Sequence, residues 1–493
     1  MSATHYLAID LGAESGRVML GKLEEKRLSL EEVHRFPNRT LSEKGHLHWD
    51  LGHLEREIFA GLEKAAALKL PMAGISTDSW GVDYVLLNAK GEALGMPYCY
   101  RDSRTEKSPE RLFRRVPFAE IYAQTGIQFM AINTLFHLEA QQHDDPAVLA
   151  GADHFLTIAD YFNARFSGVG VVEESLASTT QVYNPTAKAW SEKLMAALEL
   201  SPTLFPKIVP SGTVLGPVTG GLKTQAALAE AQVIATCSHD TGAAVAAVPA
   251  TGKNWAYLSS GTWSLLGAEL PGPVITDAAR EAGFTNEVGL GGTIRFLKNI
   301  AGLWVMQECR RAWEAGGTSF TYEELTRLAT ENGPAQAHIS MKDARFLSPG
   351  EMPEKIVSFC RETGQKPPET PGAFVRTILE SLALTYAETL RLLEKLTGQK
   401  IDRLHIVGGG SRSELLNQLA ADATGIRTIT GPVEATAIGN VLIQALALGQ
   451  IESPAHLRRI VENSFPTGTF VPGTGLTDEV RTRFQKLQPS VKS

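Results

Sequence analysis

The stretch YLAIDLGAESGRVMLGKL, residues 6–23, has the pattern of a buried strand, a turn of small residues and a second strand. Strand, tight turn and strand in this order predict a β-hairpin. A second stretch with the same layout, WAYLSSGTWSLLGAEL, occupies residues 255–270. Other apolar strands alternate with helical segments along the chain, a mixture that is typical of an α/β protein. The repeated hairpin predicts two domains of related architecture with a ligand cleft between them.

The boundary between these domains is predicted in AVPATGKN, residues 247–254, where Pro249 and Gly252 interrupt the apolar pattern. A chain of 493 residues is long enough for two to four domains at about 150 residues each. We therefore expect an N-terminal domain over residues 1–247 and a C-terminal domain over residues 248–493.

The composition is that of an ordinary globular protein, with 43% hydrophobic and 20% charged residues. The formal net charge of −7 predicts no partner among nucleic acids or anionic membranes. The four cysteines are far apart and favour neither a disulfide framework nor a zinc site. Because the N-terminus lacks a signal-peptide pattern and no window is long and apolar enough to span a membrane, we expect a cytoplasmic protein. The sequence leaves the oligomeric state open.

Patterns in the second half of the chain predict two helices and one irregular segment. Apolar residues recur at helical spacing over residues 373–398. A further helix is expected over residues 414–425, with a capping box formed by Ser411 and Glu414. Residues 333–372 are rich in proline and glycine, so we expect an irregular segment there.

Turns of small residues follow or join several strands, and such turns let backbone N–H groups approach an anion closely. They are DLGAESGR, SSGTWS, VGGG and SHDTG. Asp10, at the start of the first turn, is either a turn residue or a carboxylate that holds the hydrated Mg²⁺ of a nucleotide. Arg17 is either a surface residue or a phosphate clamp. The patterns of a P-loop and of a Rossmann dinucleotide site are both absent.

The stretch IATCSHDTGAAVAAV, residues 234–248, places His239 and Asp240 between a buried strand and an alanine-rich helix. Two interpretations of Asp240 remain open from these residues alone. A carboxylate here is a favoured helix N-cap. It could instead accept the proton of a substrate hydroxyl, because an ordinary aspartate with a pKa of about 3.9 is ionised at neutral pH. His239 is either a packing residue or a donor to a substrate oxygen.

A series of motifs follows the order found in the FGGY carbohydrate kinases and extends over nearly the whole chain. The motifs are DLGAESGR, TDSWGVD, YRDSRT, ASTTQVYN, SHDTGAAV, LSSGTWSLLG, NIAGLWVMQE and IVGGGSRSELLNQLAADATG. The chain thus resembles this family. The resemblance implies two actin-like, ribonuclease-H-like domains with ATP and a sugar in the cleft between them, and the Mg²⁺ expected at Asp10 would accompany the ATP. It assigns sugar and phosphate binding to residues 1–247 and nucleotide binding to residues 248–493.

The resemblance also implies roles for individual residues. The catalytic base falls on Asp240, while Asp10 is the expected metal carboxylate. The implied nucleotide contacts are Ala13, Glu14, Ser15, Gly16, Arg17, Thr262, Gln307 and Gly409. The implied sugar contacts are Gly81, His239, Asp240, Thr241 and Asn299. Glu14 departs from the family pattern, in which this turn often carries a small polar residue, and a carboxylate beside phosphates is unfavourable unless it points away or helps to order the metal.

Within the family, further motifs resemble those of members that act on the ketose L-rhamnulose. These are HRFPN, TDSWGVDYVLL, YRDSRT, GIQF, LKNIAGLWVMQ and GPVEATAIGN. The resemblance implies ATP-dependent phosphorylation of the 1-hydroxyl of L-rhamnulose in L-rhamnose catabolism. The alternatives are a ketose kinase of the same family that acts on L-fuculose and, in a different class, a non-catalytic actin-fold ATPase. Because L-rhamnulose ends in a methyl group, we expect a partly apolar pocket, with Trp80 and Trp263 as candidates for its wall.

Overall fold

The computed structural model describes residues 3–473 and 476–487. The strands are β1 (Thr4–Leu11), β2 (Ser15–Glu24), β3 (Arg27–Pro37), β4 (Thr40–Glu43), β5 (His46–Trp49), β6 (Met72–Ser79), β7 (Tyr84–Leu87), β8 (His154–Thr157), β9 (Val172–Glu173), β10 (Tyr183–Asn184), β11 (Ala189–Trp190), β12 (Ile208–Val209), β13 (Thr213–Pro217), β14 (Gln232–Ala235), β15 (Trp255–Ser260), β16 (Trp263–Leu270), β17 (Thr285–Val288), β18 (Ile294–Ala301), β19 (Arg403–Val407), β20 (Arg427–Thr430) and β21 (Gly468–Phe470).

The α-helices connect and cover these strands. They are α1 (Leu51–Ala67), α2 (Ser108–Phe113), α3 (Phe118–Thr125), α4 (Thr134–Asp144), α5 (Pro146–Ala150), α6 (Ile158–Ser167), α7 (Glu174–Thr179), α8 (Glu192–Ala197), α9 (Asp240–Ala246), α10 (Asp277–Glu281), α11 (Trp304–Ala315), α12 (Tyr322–Glu331), α13 (Met352–Glu362), α14 (Pro371–Thr397), α15 (Glu414–Thr424), α16 (Ala435–Ala447), α17 (Pro454–Ser464) and α18 (Asp478–Gln485). Within residues 3–473 and 476–487, no helix is both long and apolar enough to cross a membrane.

The chain divides into two compact units that are not contiguous in sequence. Unit 1 consists of Met1–Pro249, Glu269–Phe296 and Ala435–Phe465. Unit 2 consists of Ala250–Ala268, Leu297–Glu434 and Pro466–Ser493. The first break, between Pro249 and Ala250, lies in the stretch where the sequence predicts a domain boundary. The assignment of functional domains to residues 1–247 and 248–493 stays a prediction.

Unit 1 is built on a six-stranded sheet in the order β13-β14-β6-β1-β2-β3. The predicted hairpin is confirmed, since β1 and β2 are antiparallel with Asp10 opposite Arg17. On its other side, β1 is parallel to β6, which places Asp10 beside Asp78. Six of the eight residues of β1 are buried, because helices such as α16 and α6 cover the sheet. A continuous apolar run is typical of such a strand, which is buried on both faces.

The second sheet has seven strands in the order β17-β18-β16-β15-β19-β20-β21. The predicted second hairpin is confirmed by the antiparallel pairing of β15 and β16. As in the first sheet, the opening strand is parallel to its other neighbour, here β19, and a further parallel strand, β20, follows. An antiparallel strand closes this side in both sheets, β13 in one and β21 in the other. The related architecture predicted from the two hairpins is therefore present in the strand order.

Two expectations for the second half of the chain are wrong. The segment expected to be irregular contains α13, whose Pro353 lies in the first turn, where proline fits a helix, and whose Ile356, Phe359 and Cys360 are buried. The cap of α15 is Ser413, which accepts from the backbone N–H of Leu416 at 3.4 Å. Ser411 does not form the expected capping box, because its hydroxyl donates to the Gly408 carbonyl at 2.7 Å within the glycine turn. The helix expected over residues 373–398 is confirmed as part of α14, which ends at Thr397 with Gly398 as its C-cap.

The crossing of α9 and α16 brings two helix backbones into direct contact. A Cβ atom built on Gly439 of α16 would lie 1.9 Å from the carbonyl oxygen of Ala243 in α9. No side chain fits at this distance, and the opposing atoms are backbone atoms that cannot rotate away. The contact fixes α9, whose first residue is Asp240, against the helix that covers the sheet.

We expect Gly439→Ala to lower the free energy of unfolding by about 1–3 kcal/mol or more, as overpacked cores do. Alanine is by itself the better helix former by roughly 1 kcal/mol, so a loss can only come from the clash. Urea denaturation of both proteins measures the difference. Gly170→Ala is the matched control, since no atom lies within 4 Å of the added methyl group. An unchanged unfolding midpoint for Gly439→Ala would contradict the proposed close crossing.

Candidate active site

The predicted site residues are distributed over both units. Unit 1 contains Asp10, Ala13, Glu14, Ser15, Gly16, Arg17, Gly81, His239, Asp240 and Thr241. Unit 2 contains Thr262, Asn299, Gln307 and Gly409. In unit 1, Asp10, Gly81 and Asp240 lie at or after the ends of strands that are parallel to one another. In unit 2, Thr262 and Gly409 follow the parallel strands β15 and β19.

The turn between β1 and β2 is a tight loop that a neighbouring side chain holds in place. Its ends are joined by the N–H of Gly12, which donates to the Ser15 carbonyl at 2.9 Å. Asn38 holds the loop from the side, because its amide Nδ2 donates to the Gly12 carbonyl at 3.0 Å. Gly16 is required at the end of the loop, since a Cβ there would lie 2.3 Å from the ring of Phe36. The loop is thus preformed, and the Glu14 side chain is exposed.

Two aspartates lie side by side at the carboxyl ends of β1 and β6. Asp10 is 6% exposed and forms an ion pair with Arg17. Asp78 is fully buried, and its Oδ2 accepts from the Asn440 amide at 2.6 Å. Within the described residues, Asp78 Oδ1 has no hydrogen-bond partner. Burial, together with the negative charge of Asp10, raises the pKa of Asp78 well above its usual range.

Asp240 is the first residue of α9 and not its N-cap. The N-cap is His239, whose side chain makes no capping bond, so the capping interpretation of Asp240 is wrong. Asp240 Oδ1 accepts instead from the backbone N–H of Thr241 at 2.5 Å and from its hydroxyl at 3.1 Å. The other oxygen, Oδ2, takes part in no hydrogen bond within the described residues, and 31% of the side chain is exposed.

The pKa of Asp240 is set by opposing effects. Loss of water around the carboxylate raises its pKa, the imidazole of His239 lowers it, and the charge of Asp10 raises it again. The net result is a pKa above the ordinary value for aspartate. A partly exposed carboxylate with one oxygen fixed and one oxygen open is suited to accept a proton from a hydroxyl group.

His239 is held by two charged residues, Arg295 and Glu287. Its Nδ1 lies 3.1 Å from Nη2 of Arg295 and 3.3 Å from Oε2 of Glu287, while its Nε2 lies 3.4 Å from Asp240 Oδ1. Arg295 is completely buried and pairs with Glu287 at 3.0 Å. Burial alone would raise the pKa of Glu287, but Arg295 and His239 outweigh it and lower that pKa. This ion pair fixes the imidazole beside the open carboxylate.

A buried glutamate supports the backbone that leads into Asp240. Glu173 Oε2 accepts from the N–H of Ser238 at 3.0 Å and from the N–H of Ser175 at 2.9 Å. The Ser175 hydroxyl in turn accepts from the N–H of His239 at 3.0 Å. Burial raises the pKa of Glu173, while the hydrogen bonds from Ser175 and Ser211 oppose that shift. Glu173 and Ser175 therefore hold the loop that carries His239 and Asp240, through bonds from the backbone N–H groups of Ser238 and His239.

The turn that contains Gly81 leaves the sheet next to this loop. Ser79, the last residue of β6, donates its N–H to the Ser238 carbonyl at 2.8 Å and pairs with His239. Trp80, a candidate for the apolar wall, is only 6% exposed and lies against Trp49, with ring centroids 4.5 Å apart. Its indole N–H donates a hydrogen bond to Asp83 Oδ2 at 2.8 Å. Trp80 is thus a core residue that supports the turn.

The predicted nucleotide contacts of unit 2 also lie near strand ends. β15 and β19 are parallel, with Ser259 opposite Val407, so the turns that follow them leave the same edge of the sheet. Thr262 lies in the first turn and Gly409 opens the second. The Thr262 carbonyl accepts from the N–H of Trp304 at 3.1 Å, which attaches α11 to this edge.

The other predicted residues of unit 2 lie on α11, β18 and β16. Gln307 lies in the first turns of α11, and its Oε1 is buried without a hydrogen-bond partner within the described residues. Leu303 provides no side-chain cap for α11, and the N–H groups of Leu303 and Trp304 donate to the Gly261 and Thr262 carbonyls, each at 3.1 Å. Asn299 lies on β18 and Trp263 opens β16.

The functional residues that were missed differ in how visible they were. Asp78 lies within the TDSWGVD motif and has the same register position as Asp10, so the parallel pairing of the two strands could have identified it. Arg295 and Glu173 gave no such signal, since each is a single charge that lies far from residues 238–240 in sequence. An arginine inside the apolar run IRFL was the only indication of a buried charge.

Comparison with protein families gives two matches that follow one another along the chain. The FGGY family of carbohydrate kinases, N-terminal domain, matches residues 5–247. The C-terminal domain of the same family matches residues 256–448. Similar proteins include a rhamnulokinase of Bacteroides thetaiotaomicron, 43% identical over 95% of this chain and 96% of the relative. Another is a rhamnulokinase of Lactiplantibacillus plantarum, 40% identical over 98% of each chain.

Solved structures with the same fold have much lower sequence identity. The gluconate kinase from Lactobacillus acidophilus has a TM-score of 0.80 at 16% identity, covering 99% of this chain and 96% of that one. The Plasmodium falciparum glycerol kinase with ADP has a TM-score of 0.78 at 14% identity, covering 98% and 96%. These similarities confirm the predicted α/β class with two actin-like domains. Because the two family matches together span nearly its full length, the chain belongs to the FGGY family of carbohydrate kinases.

Proposed function

We propose that this chain transfers the γ-phosphoryl group of ATP to the 1-hydroxyl of L-rhamnulose, giving L-rhamnulose 1-phosphate and ADP in L-rhamnose catabolism. The observation that carries the proposal is the similarity to rhamnulokinases along the whole chain, at 43% and 40% identity. The site supports the same chemistry, because Asp240 offers an open carboxylate oxygen at the end of the unit 1 sheet.

In the proposed step, the 1-hydroxyl oxygen of the sugar forms a bond to the γ-phosphorus of ATP. The bond between that phosphorus and the β,γ-bridging oxygen breaks, and ADP leaves. The hydroxyl proton passes to Oδ2 of Asp240, whose Oδ1 is held by Thr241. Phosphoryl transfer depends mainly on positioning and charge stabilisation, so a fixed carboxylate of moderate basicity is sufficient.

The remaining site residues take the binding roles that the family resemblance implies. We propose that Gly81, His239, Thr241 and Asn299 contact the sugar. The proposed nucleotide contacts are Ala13, Glu14, Ser15, Gly16, Arg17, Thr262, Gln307 and Gly409. Residues 1–247 would then bind sugar and phosphate and residues 248–493 the nucleotide, in a protein that we expect to be cytoplasmic. The preformed loop around Gly12 supports phosphate binding.

The charges around Asp10 fit a magnesium ion. Asp10 raises the pKa of Asp78 and of Asp240, and Asp78 Oδ1 is buried without a partner, so a cation would relieve this excess of negative charge. Within residues 3–473 and 476–487, no group of three or more His, Cys, Asp or Glu residues could hold a metal by itself. Mg²⁺ needs few protein ligands and keeps several waters, so we propose that Asp10 holds the ion that accompanies ATP. The ion would neutralise phosphate charge.

Asp240→Asn tests the base. Asparagine keeps the size of the side chain and an acceptor for Thr241, but it cannot take up the hydroxyl proton. We expect kcat to fall by about 10²-fold or more, with unchanged thermal stability. Steady-state kinetics with L-rhamnulose and ATP measure the loss. Asp153→Asn, a change of the same kind at an exposed position, is the matched control. A near-normal kcat for Asp240→Asn would show that Asp240 is not the base.

The acid side of the pH profile tests the environment of Asp240. The carboxylate must be ionised to accept a proton, so kcat/KM should fall as the pH drops through its pKa. Because that pKa is raised, the fall should begin above the range of an ordinary aspartate, about 3.9. His239 lowers the pKa of Asp240, so His239→Gln should move the acid limb to higher pH. An unmoved limb in His239→Gln would contradict this coupling.

A panel of sugars in an ADP-release assay tests the substrate. We expect kcat/KM for L-rhamnulose to exceed that of its 6-hydroxy counterpart at least about tenfold, since a pocket shaped for a methyl group leaves a hydroxyl without a partner. Equal use of both sugars would remove the argument for an apolar pocket. Preference for L-fuculose would identify the other ketose kinase, and ATP turnover independent of any ketose would identify an ATPase.

A further inference from the structure

Val82 has a backbone conformation that β-branched residues rarely adopt. Its φ is +71°, in the left-handed region, between Gly81 and Asp83 in the turn after β6. Left-handed backbone at a β-branched residue is strained, and it persists only where the surrounding structure imposes it. Backbone strain of this kind is concentrated at functional sites. The residues that hold Val82 in this conformation therefore indicate a functional role for the turn.

Several hydrogen bonds impose this conformation. The Thr134 hydroxyl, buried at the start of α4, donates to the Val82 carbonyl at 2.6 Å. Within the turn, the N–H of Asp83 donates to the Gly81 carbonyl at 3.0 Å. On its other side, the N–H of Trp80 donates to the carbonyl of Leu11, the last residue of β1, at 3.1 Å.

Asp83 makes the largest number of these supporting contacts. One oxygen, Oδ2, accepts from the indole N–H of Trp49 at 2.6 Å, from the indole N–H of Trp80 at 2.8 Å and from the N–H of Tyr100 at 3.3 Å. Trp49 and Trp80 are 1% and 6% exposed, so neither indole has water as an alternative partner. Asp83 itself is 3% exposed. Because this carboxylate connects the turn to two buried indoles, it fixes the position of the turn.

The turn lies beside the proposed base. Ser79, two residues before Gly81, bonds to Ser238 and pairs with His239. The bond from Trp80 to Leu11 also connects the turn to the strand that carries Asp10. Gly81 and Val82 are both partly exposed, while the residues that support them are buried. The exposed part of the turn is thus the part available to a ligand.

We infer that Asp83 and Thr134 are positioning residues for the sugar, which hold the strained Gly81–Val82 turn in a preformed shape at the substrate site. The inference rests on the proposed function, in which Gly81 contacts the sugar. A preformed turn reduces the ordering that binding would otherwise require, and it fixes the sugar relative to Asp240. The nucleotide contacts lie on other turns, so Asp83 and Thr134 act on the sugar and not on ATP.

Two substitutions of Asp83 separate acceptor from charge. Asp83→Leu removes the acceptor and leaves both indoles unpaired, and we expect the KM for L-rhamnulose to rise about tenfold or more, with the KM for ATP within about twofold of the parent. Burial raises the pKa of Asp83 to about 7, so a full negative charge is not required for its role. Asp83→Asn removes the charge but retains an acceptor oxygen, and its KM for L-rhamnulose should therefore lie close to that of the parent.

Val82→Gly tests the strain without disturbing the buried indoles, and it decides the matter if Asp83→Leu does not fold. Glycine adopts positive φ without strain but also leaves it freely. We expect a melting temperature no lower than that of the parent, a KM for L-rhamnulose raised by about three- to tenfold and an unchanged KM for ATP. Lys69→Gly is the matched control, since Lys69 is exposed and has a φ of +58° in the turn after α1.

The results distinguish this inference from the proposed function. If the parent protein does not use L-rhamnulose, the proposed function fails, and the same variants are then measured with the ketose that the panel identifies. If the parent uses L-rhamnulose but Val82→Gly leaves its KM unchanged, the positioning role is overturned. An equal rise in both KM values would overturn it as well, because the change would then be general.

Discussion

The site of this protein depends on one electrostatic constraint, the placement of carboxylates at the ends of neighbouring parallel strands. The pairing of β1 with β6 puts Asp10 beside Asp78, and the charge of Asp10 raises the pKa of both Asp78 and Asp240. Arg17 and Asn440 offset only part of this repulsion. Carboxylates grouped in this way favour a cation and the uptake of a proton, and both fit the phosphoryl transfer proposed for this chain.

The same strand arrangement occurs in both sheets and explains why proposed site residues lie together at one edge of each sheet. In each sheet an antiparallel hairpin opens the domain, and parallel strands follow on one side. Turns between such strands leave at one edge, so their small residues lie together although they are far apart in sequence. In unit 1 this edge carries Asp10, Gly81 and Asp240, and in unit 2 it carries Thr262 and Gly409.

Buried polar groups hold the loops of the site in place. Glu173 anchors the backbone before Asp240, and the pair of Arg295 and Glu287 holds His239. Asp83 supports the turn with Gly81 through two indoles. Each is an ionisable group removed from water, which is costly unless partners compensate for it. Their common feature is that they contact loops which carry the proposed base and sugar contacts.

The sequence by itself determined the two hairpins, the long helix α14 and the residues of the turns, because apolar periodicity and small-residue turns are local signals. It also predicted Asp10, Asp240 and the family from motifs that lie within single stretches. Three local features depended on neighbouring residues in the folded chain and not on the sequence pattern. They are the Ser413 cap of α15, the helix α13 and the position of Asp240 as the first residue of α9. The roles of Arg295, Glu173 and Asp83 as supports of the site were decided by tertiary structure, because their partners come from distant parts of the chain. Burial, which a single stretch of sequence does not specify, then determines how strongly these ionisable groups affect the loops that they contact.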